Sequence, residues 1–265
     1  MVVKSTALTH VGVIVTRPIG QSRPLTALLE SQGARVLSFP TLKITALDDP
    51  KLKQVVHDLD LFDHLIFTSV NAVAHGMVVL DDFWPQWPIR QAWYGIGNAT
   101  AAALRTYGVD PVVPSVSHNS EGLLALQAFE KLDGQRICLF KGEAGRGLLP
   151  ETLVQRGAEL DVVNCYRREL EQKSVYELRQ LAQFFQVPQS KYLIANSNES
   201  LDNFILLAQD SQLPWQDLVV VAASERIADH AKQSGFGKIT QANDVGDKSL
   251  LEAIQEWCDN PRSDD

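Results

Sequence analysis

Six loops of small, hydrogen-bonding residues follow short apolar runs along this 265-residue chain. They occupy residues 16–18, 68–71, 95–100, 141–143, 196–198 and 223–224. Several precede a predicted helix, so free backbone N–H groups, hydroxyls and the positive end of a helix dipole converge there. Such groups bind carboxylates or phosphates. The alternative for any single Ser, Thr or Asn in these loops is that it only caps a helix.

The distribution of charge is compatible with an anionic ligand at two of these loops. The first 29 residues carry Lys4, Arg17 and Arg23 and no acid, and residues 134–150 carry three basic residues against Glu143. The chain as a whole has a formal net charge of −8, which argues against a generic nucleic-acid surface. Half of that net charge lies in the last fourteen residues, which contain five acidic residues and one basic residue, Arg262.

Motifs of known enzyme classes are absent from the sequence. There is no P-loop, no G-x-S-x-G and no H-E-x-x-H, and Gly95-Ile96-Gly97 lacks the third glycine of a dinucleotide site. The six histidines are scattered, which indicates structural or surface roles. Three cysteines without short spacing form neither a disulfide framework nor a zinc site. We therefore predict no metal and no cofactor, and a reducing cytoplasm as the location.

The apolar runs are too short for a membrane span, which needs about 20 residues, and no signal peptide is recognisable. They alternate instead with helix-period segments. Residues 11–15 and 35–39 read as strands around a helix bearing Leu25, Leu28 and Leu29, and residues 121–131 read as another helix. Such βαβ alternation predicts an α/β protein with parallel sheets.

An internal repeat divides the chain into two similar halves. An offset of 124 carries Val13 to Ile137 and Gly33-Ala34 to Gly157-Ala158. An offset of 128 carries Ser69 to Ser197, and one of 127 carries Gly108 to Gly235. Three units in the same order at nearly equal offsets indicate duplication. Two lobes imply a cleft at the carboxyl ends of the strands.

Several ordered motifs together resemble one enzyme family. They are V-x-V-T-R-P at 13–18, F-T-S-V-N-A-V at 67–73, I-G-N-A-T-A-A-A-L at 96–104, Lys141-Gly142, and C-Y-R-R at 165–168. No single motif is diagnostic, but their order and spacing over residues 11–257 make the chain similar to uroporphyrinogen-III synthase.

The resemblance implies a lyase that takes the linear tetrapyrrole hydroxymethylbilane, removes its terminal hydroxyl as water and closes the ring with the last pyrrole inverted. The substrate carries eight carboxylates, and the family is expected to act as a monomer without a cofactor, nucleic acid or membrane. A tyrosine at the position of Tyr166 is the family's candidate acid; the alternative is an aromatic packing residue. The expected substrate-binding residues are Thr16, Arg17, Ser69, Asn71, Gly97, Thr100, Lys141, Gly142, Ser197 and Ser224.

The family also implies interleaved rather than consecutive lobes. Residues 1–39 and 170–265 form one lobe and residues 50–160 the other, each a flavodoxin-like, doubly wound parallel sheet. Residues 40–49 and 161–169 form a two-stranded β linker. The chain departs from the family pattern at one position. The repeat equivalent of Thr100 is Ile227, so no substrate contact is predicted for Ile227.

Two other classes of protein share part of this pattern. A non-enzymatic two-lobed binding protein has the same duplicated fold, the same polar loops and the same lack of catalytic motifs. A nucleotide-dependent Rossmann enzyme shares the alternation but is disfavoured by the incomplete glycine fingerprint.

Overall fold

The computed structural model describes residues 8–145, 147–187 and 189–260. Its ten strands are β1 Val11–Val15, β2 Arg35–Ser38, β3 Leu42–Ala46, β4 His64–Phe67, β5 Ala92–Gly95, β6 Arg136–Gly142, β7 Glu159–Leu170, β8 Ser190–Ala195, β9 Val219–Ala222 and β10 Lys238–Gln241. Its ten α-helices are α1 Ile19–Ser31, α2 Pro50–His57, α3 Val70–Phe83, α4 Asn98–Arg105, α5 Ser120–Leu124, α6 Leu148–Gln155, α7 Val175–Gln186, α8 Asn198–Asp210, α9 Glu225–Gln233 and α10 Asp247–Asp259.

The chain forms two compact units. The first runs up to Lys43 and resumes at Glu169, and the second is Ile44–Arg168. One sheet has the strand order β10-β9-β8-β1-β2 and the other the order β3-β7-β6-β4-β5. The pairings within β10-β9-β8-β1-β2 and β7-β6-β4-β5 are parallel. The protein is therefore a mixed α/β protein with two parallel-dominated sheets.

The sheet of the second unit is buried on both faces. Leu65, Phe67 and Phe140 belong to one hydrophobic cluster, whereas Ile66 and Leu139 belong to another. Because successive side chains of a strand point to opposite faces, the two clusters cover the two faces. The continuous apolar runs in the sequence are thus explained, because the strands of a parallel sheet are buried on both faces.

The internal repeat is reproduced in the strand register of the two units. Val13 pairs with Tyr192 in the first unit, and its repeat equivalent Ile137 pairs with His64 in the second. Tyr192 also pairs with Val219, as His64 pairs with Ala92. Each of these pairs is related by the offsets found in the sequence. The duplication therefore extends from the residue pattern to the hydrogen-bonded register.

The helix predicted over residues 121–131 is wrong in its second half. The helix α5 stops at Leu124, and a 3-10 turn follows at Gln127–Phe129. The break places Phe129 against the rings of His64 and Tyr94, with centroids 5.3 and 4.8 Å away. Burial of this aromatic ring outweighs the helical pattern of the sequence. The sequence pattern does not predict α7 and β10, although both are present.

The helix α7 begins with a capping box. Ser174 Oγ accepts from the backbone N–H of Glu177, and the Glu177 carboxylate accepts from the Ser174 N–H at 2.9 Å. Burial raises the pKa of Glu177, but hydrogen bonds from Ser174 and Lys173 and the Lys173 charge outweigh it and lower the pKa from 4.5 to about 2. The carboxylate therefore stabilises the fold above pH 4.5, and this contribution is lost as the pH falls towards 2.

We expect Ser174→Ala to lower the free energy of unfolding by about 1 kcal/mol at pH 7, because the N-cap hydroxyl is lost. The difference from the unsubstituted chain should shrink below pH 4.5, as Glu177 loses its advantage in both proteins. Urea unfolding at pH 7, 4 and 2 measures this difference. Ser31→Ala is the control, since Ser31 lies at the end of α1 and its hydroxyl contacts the Leu28 carbonyl and the Gln32 amide rather than a helix N-terminus. A penalty that stays constant down to pH 2 contradicts the role of Glu177.

Within the described ranges, no helix combines the length and apolar character that a membrane crossing requires. The three cysteines Cys138, Cys165 and Cys258 are free thiols. No group of three or more His, Cys, Asp or Glu side chains in that part of the chain is placed to hold a metal ion.

Candidate functional site

The candidate residues of the second unit meet at the carboxyl edge of its sheet. Phe67 is in register with Gly95 on one side and with Phe140 on the other. The residues that follow these three positions therefore leave the sheet at the same level. This places Ser69, Gly97 and Lys141 at one edge, as the sequence predicts.

Tyr166 reaches this edge through an irregularity in strand pairing. Lys141 pairs with Asn164, but the next residue, Gly142, pairs with Tyr166, so the register shifts by one residue. Bulges of this kind re-aim side chains and are frequent next to active sites. The shift brings Tyr166, and not Cys165, opposite the glycine.

The ring of Tyr166 lies directly over Gly142. A Cβ atom built on Gly142 would stand 2.8 Å from Tyr166 Cζ and 3.0 Å from its hydroxyl oxygen, closer than real Cβ contacts. The tyrosine side chain is only 4% exposed. Gly142 is thus required by the close approach of the ring, which is a role in addition to the main-chain contact predicted from the sequence.

The hydroxyl of Tyr166 has a defined partner. Ser69 Oγ lies 3.0 Å from Tyr166 Oη and also accepts from the backbone N–H of Ala72 at 3.1 Å. Ser69 is the N-cap of α3, as the capping interpretation predicts, and its hydroxyl also contacts the candidate acid; its contact with substrate stays a prediction. Because its lone pair accepts from Ala72, its proton is available for the phenol oxygen.

Cys165, the neighbour of Tyr166, is not suited to act as a nucleophile. Burial, together with the charge of Asp49, raises the pKa of its thiol to about 12, and the backbone N–H of Lys141 lowers it only in part. A thiol is a weak nucleophile until it ionises. The groups available for chemistry at the carboxyl edge of this sheet are therefore hydroxyl groups and backbone amides.

The remaining candidates of the second unit occupy the starts of α3 and α4 and the end of β6. Gly97 is the N-cap of α4, and Thr100 is buried within that helix. Asn71 is half-buried in the first turn of α3. Lys141 Nζ is 3.4 Å from the Glu143 carbonyl oxygen, a weak contact that leaves its charge available for an anion.

In the first unit, four candidates follow β1, β8 and β9 at the carboxyl edge. Val15 is in register with Ile194, which is in register with Val221. Thr16 donates its hydroxyl to the Ile194 carbonyl at 2.9 Å and is 1% exposed. Thr16 is therefore a structural link between two strands, and its hydroxyl proton is already used.

Ser197 and Ser224 differ although both are N-caps. Ser197 forms a reciprocal capping box with Ser200 at the start of α8. Ser224 begins α9 but makes no side-chain capping bond. Of these two hydroxyls, the one of Ser224 is the better placed to serve a ligand.

Arg17 is held by contacts within its own unit. It donates to Asn196 Oδ1 at 2.9 Å and to the Val245 carbonyl at 2.8 Å, and it forms an ion pair with Asp247. Its side chain is 14% exposed. Sequence reasoning missed Asn196 and Asp247 as partners, because Asp247 is 230 residues away along the chain.

We expect Arg17→Met to lower the free energy of unfolding of the first unit by roughly 1.5–3 kcal/mol, the cost of losing hydrogen bonds to a charged partner. Arg17→Lys should recover part of this loss, because lysine keeps the charge without the planar fork. Chemical unfolding measures both variants. Arg23→Met on the exposed face of α1 is the matched control. Equal stability of Arg17→Met and Arg23→Met would leave Arg17 free for the substrate.

The ring of His75 is a further neighbour of Tyr166 that the sequence did not indicate. The two ring centroids are 6.1 Å apart, and His75 lies on α3 six residues after Ser69. The contact joins residues that are 91 positions apart, so no local spacing could reveal it. His75 therefore belongs to the surroundings of the candidate acid.

Two parallel-dominated sheets, each with polar loops at its carboxyl edge, define an α/β protein of two similar units. The family model of uroporphyrinogen-III synthase HemD matches residues 23–252. The chain belongs to the uroporphyrinogen-III synthase family. It is an enzyme of porphyrin biosynthesis in the lyase class, and the alternative of a non-enzymatic binding protein is not favoured.

Individual relatives agree with this family. Uroporphyrinogen-III synthase of Salmonella typhimurium is 31% identical over 249 residues, which cover 92% of this chain and 99% of the relative. The Escherichia coli synthase is 28% identical over 247 residues, covering 92% and 99% of the two chains.

Solved structures show the same fold at lower identity. A mutant uroporphyrinogen III synthase from Thermus thermophilus superposes with a TM-score of 0.60 at 18% identity, covering 94% of this chain and 99% of that chain. The Helicobacter pylori uroporphyrinogen-III synthetase gives 0.59 at 14% identity, covering 92% and 98%. At these identities the similarity concerns the fold alone.

Proposed function

We propose that Tyr166 donates the proton with which the terminal hydroxyl of hydroxymethylbilane leaves as water, after which the ring closes with its last pyrrole inverted to give uroporphyrinogen III. The observation that carries this assignment is the 3.0 Å pair of Ser69 Oγ and Tyr166 Oη at the carboxyl edge of the sheet. An ordinary tyrosine phenol is protonated at neutral pH and can donate. Either hydroxyl of this pair can be the donor; when Ser69 donates its proton to Tyr166 Oη, the phenolic proton is left for the substrate.

Among the helices that follow the candidate loops, α3 and α4 in the second unit and α1 in the first have the better anion-binding N-termini, since the first turn of α1 also contains no acidic residue. The first turns of α3 and α4 contain no acidic residue. The first turns of α8, α9 and α10 in the first unit contain Glu199, Glu225 and Asp247. Because a carboxylate already satisfies the positive end of a helix dipole, the substrate carboxylates bind principally at α1, α3, α4 and Lys141.

The other groups serve the substrate in a supporting way. Asn71, Gly97, Thr100 and Gly142 in the second unit, and Ser197 and Ser224 in the first, supply main-chain and hydroxyl contacts for the eight carboxylates. Thr16 and Arg17 hold the carboxyl edge of the first sheet in shape. Catalysis then rests on positioning a flexible chain and on electrostatic stabilisation of the cation that forms when the protonated hydroxyl departs as water.

The protein is proposed to act as a cytoplasmic monomer without a cofactor. Its lobes are residues 1–39 with 170–265 and residues 50–160, joined by residues 40–49 and 161–169. Support for this linker comes from two hydrogen bonds, Leu47 N to the Cys165 carbonyl and Glu171 N to the Thr41 carbonyl. The flavodoxin-like assignment is supported by the first sheet, whose order is 2-1-3-4-5 when its strands are counted within the unit.

Incubation of the purified chain with freshly made hydroxymethylbilane tests the proposed reaction. The porphyrin isomers are resolved after oxidation, with no cofactor added. The type-III isomer is expected in excess. If only the symmetrical type-I isomer appears, the proposed reaction is wrong.

A further inference from the structure

The ring of His75 contacts Tyr166 from the same helix that provides the hydrogen-bond partner of its hydroxyl. Ser69, the N-cap of α3, lies 3.0 Å from Tyr166 Oη. His75 lies further along α3, with its ring centroid 6.1 Å from that of the tyrosine and the two ring planes tilted by 34°. One helix therefore touches both the hydroxyl and the ring of the candidate acid.

Close packing fixes α3 on the sheet at the level of this ring contact. A Cβ atom built on Gly76 would stand 3.2 Å from Phe140 Cδ1 and 3.3 Å from Cys165 Sγ, tighter than ordinary van der Waals contact. Gly76 directly follows His75, and Cys165 directly precedes Tyr166. The helix backbone at His75 is therefore held against the strand that carries Tyr166.

The side chain of His75 is committed to this ring contact. Within the described ranges, its imidazole contacts the ring of Tyr166 and makes no hydrogen bond. His64 and His230 differ, because each has a hydrogen-bond partner at 2.6 Å. His75 is half-buried. The contact with Tyr166 is thus the interaction that this side chain provides to the second unit.

The first unit shows what the same helix position does in the other copy of the fold. The offset of 128 that carries Ser69 to Ser197 also carries His75 to Asn203 on α8. Asn203 Nδ2 donates to the Thr41 carbonyl oxygen at 3.1 Å. In the first unit, this helix position therefore holds the chain that follows β2.

Both units use this helix position at the same level of the neighbouring strand. The offset of 124 carries Thr41 to Cys165, the residue directly before Tyr166. In the first unit the contact is a hydrogen bond to the main chain, and in the second it is a contact between two rings. Holding the neighbouring chain is thus common to both units, and in the second unit it acts on the side chain of the candidate acid.

We propose that His75 is a positioning residue, which holds the ring of Tyr166 so that its hydroxyl stays at Ser69. This inference rests on the proposed role of Tyr166 as the proton donor. A displacement of about 1 Å is enough to slow a positioned reaction severely, so a ring that loses its neighbour donates its proton less effectively. In this role His75 acts through Tyr166 and makes no contact with the substrate.

Nuclear magnetic resonance of the full chain with isotope-labelled tyrosine rings tests the contact independently of the reaction. The Tyr166 signals are identified by their loss in Tyr166→Phe. They are expected to shift in His75→Ala and in His75→Asn, which introduces the residue that the first unit carries at this position. The matched control is His57→Ala, since His57 on α2 contacts the ring of Phe83 at 4.9 Å, and it should leave these signals in place. Unchanged Tyr166 signals in both His75 variants overturn the inference.

Single-turnover kinetics with fresh hydroxymethylbilane tests the consequence for the reaction. His75→Ala and His75→Asn are expected to lower the rate about tenfold or more, with substrate affinity unchanged. His75→Phe keeps an aromatic ring at this position and should recover most of the rate, whereas His57→Ala should react as fast as the unsubstituted chain. Melting temperatures show whether each variant is folded. A lower melting temperature in His75→Ala with an unchanged rate would show a merely structural histidine and contradict the inference.

The double variant of His75→Ala with Tyr166→Phe separates positioning from substrate binding. No loss of rate beyond that of Tyr166→Phe is expected, because the hydroxyl that His75 positions is already gone. A further loss, or weaker substrate binding, would mean that His75 contacts the substrate itself and would overturn the inference. A normal rate in Tyr166→Phe alone would remove the proposed acid and this inference together. A slow Tyr166→Phe beside a fast His75→Ala would remove this inference only.

Discussion

Tyr166→Phe is expected to lower the turnover rate by roughly 10²-fold or more, the lower range for loss of a general acid, while substrate affinity is largely kept. Phenylalanine preserves the ring over Gly142 and removes only the hydroxyl that faces Ser69. The packing function of the side chain therefore survives the substitution. Loss of rate without loss of affinity is the result that distinguishes an acid from a packing residue.

Single-turnover kinetics with fresh hydroxymethylbilane measures this effect, because the chemical step is then separated from product release. Tyr176→Phe is the matched control, since Tyr176 is an exposed tyrosine on α7. Unchanged single-turnover rates in Tyr166→Phe would leave Tyr166 as a packing residue and remove the acid from the mechanism.

The substitution Ser69→Gly tests the hydrogen-bond partner of the Tyr166 hydroxyl. Glycine is itself a good N-cap residue, so α3 loses only a few tenths of a kcal/mol. The rate is expected to fall about tenfold, the effect of one hydrogen bond of ~1.4 kcal/mol to the reacting group. In the Tyr166→Phe background the same substitution should change nothing further, because the two hydroxyls act together.

The fold could be predicted from the sequence largely because it is a repeat of buried strands. Val11–Val15 and His64–Phe67 are fully buried, so their apolar runs carry the signal directly. The offsets between Val13 and Ile137 and between Ser69 and Ser197 predict the register that the strands adopt. The break after Leu124 was missed, because burial of Phe129 outweighs the helical pattern.

The candidate site was predictable as a set of positions but not as a set of contacts. Residues after parallel strands must share an edge, and Ser69, Gly97 and Lys141 do. The pairing of Ser69 with Tyr166 joins residues 97 positions apart and depends on a one-residue shift in strand register. No local pattern encodes that shift. The ion pair of Arg17 with Asp247 is likewise a long-range contact, and the sequence of neither loop indicates it.

Gly142→Ala is expected to reduce turnover as strongly as Tyr166→Phe, although it leaves the phenol in place. The added methyl group would stand 2.8 Å from Tyr166 Cζ, so the ring must move. The ring is nearly buried, and its displacement takes the hydroxyl away from Ser69. Because a misplaced proton donor loses its advantage even at about 1 Å, the rate falls while the acid itself is intact.

The stability cost of Gly142→Ala should be modest, about 1–3 kcal/mol for overpacking. The backbone of Gly142 is not in the left-handed region, so alanine is strained only by the contact with Tyr166. Gly237→Ala is the control, since a Cβ atom there meets nothing within 4 Å. Chemical unfolding and single-turnover rates are measured on both variants.

The double variant Gly142→Ala with Tyr166→Phe separates displacement of the acid from any other effect of the methyl group. If Gly142→Ala acts only by moving the hydroxyl, the double variant is no slower than Tyr166→Phe alone, because the hydroxyl is already gone. Additive losses would mean that Gly142 contacts the substrate through its main chain. Wild-type turnover by Gly142→Ala would show that catalysis tolerates movement of the ring, which contradicts a positioned acid at Tyr166.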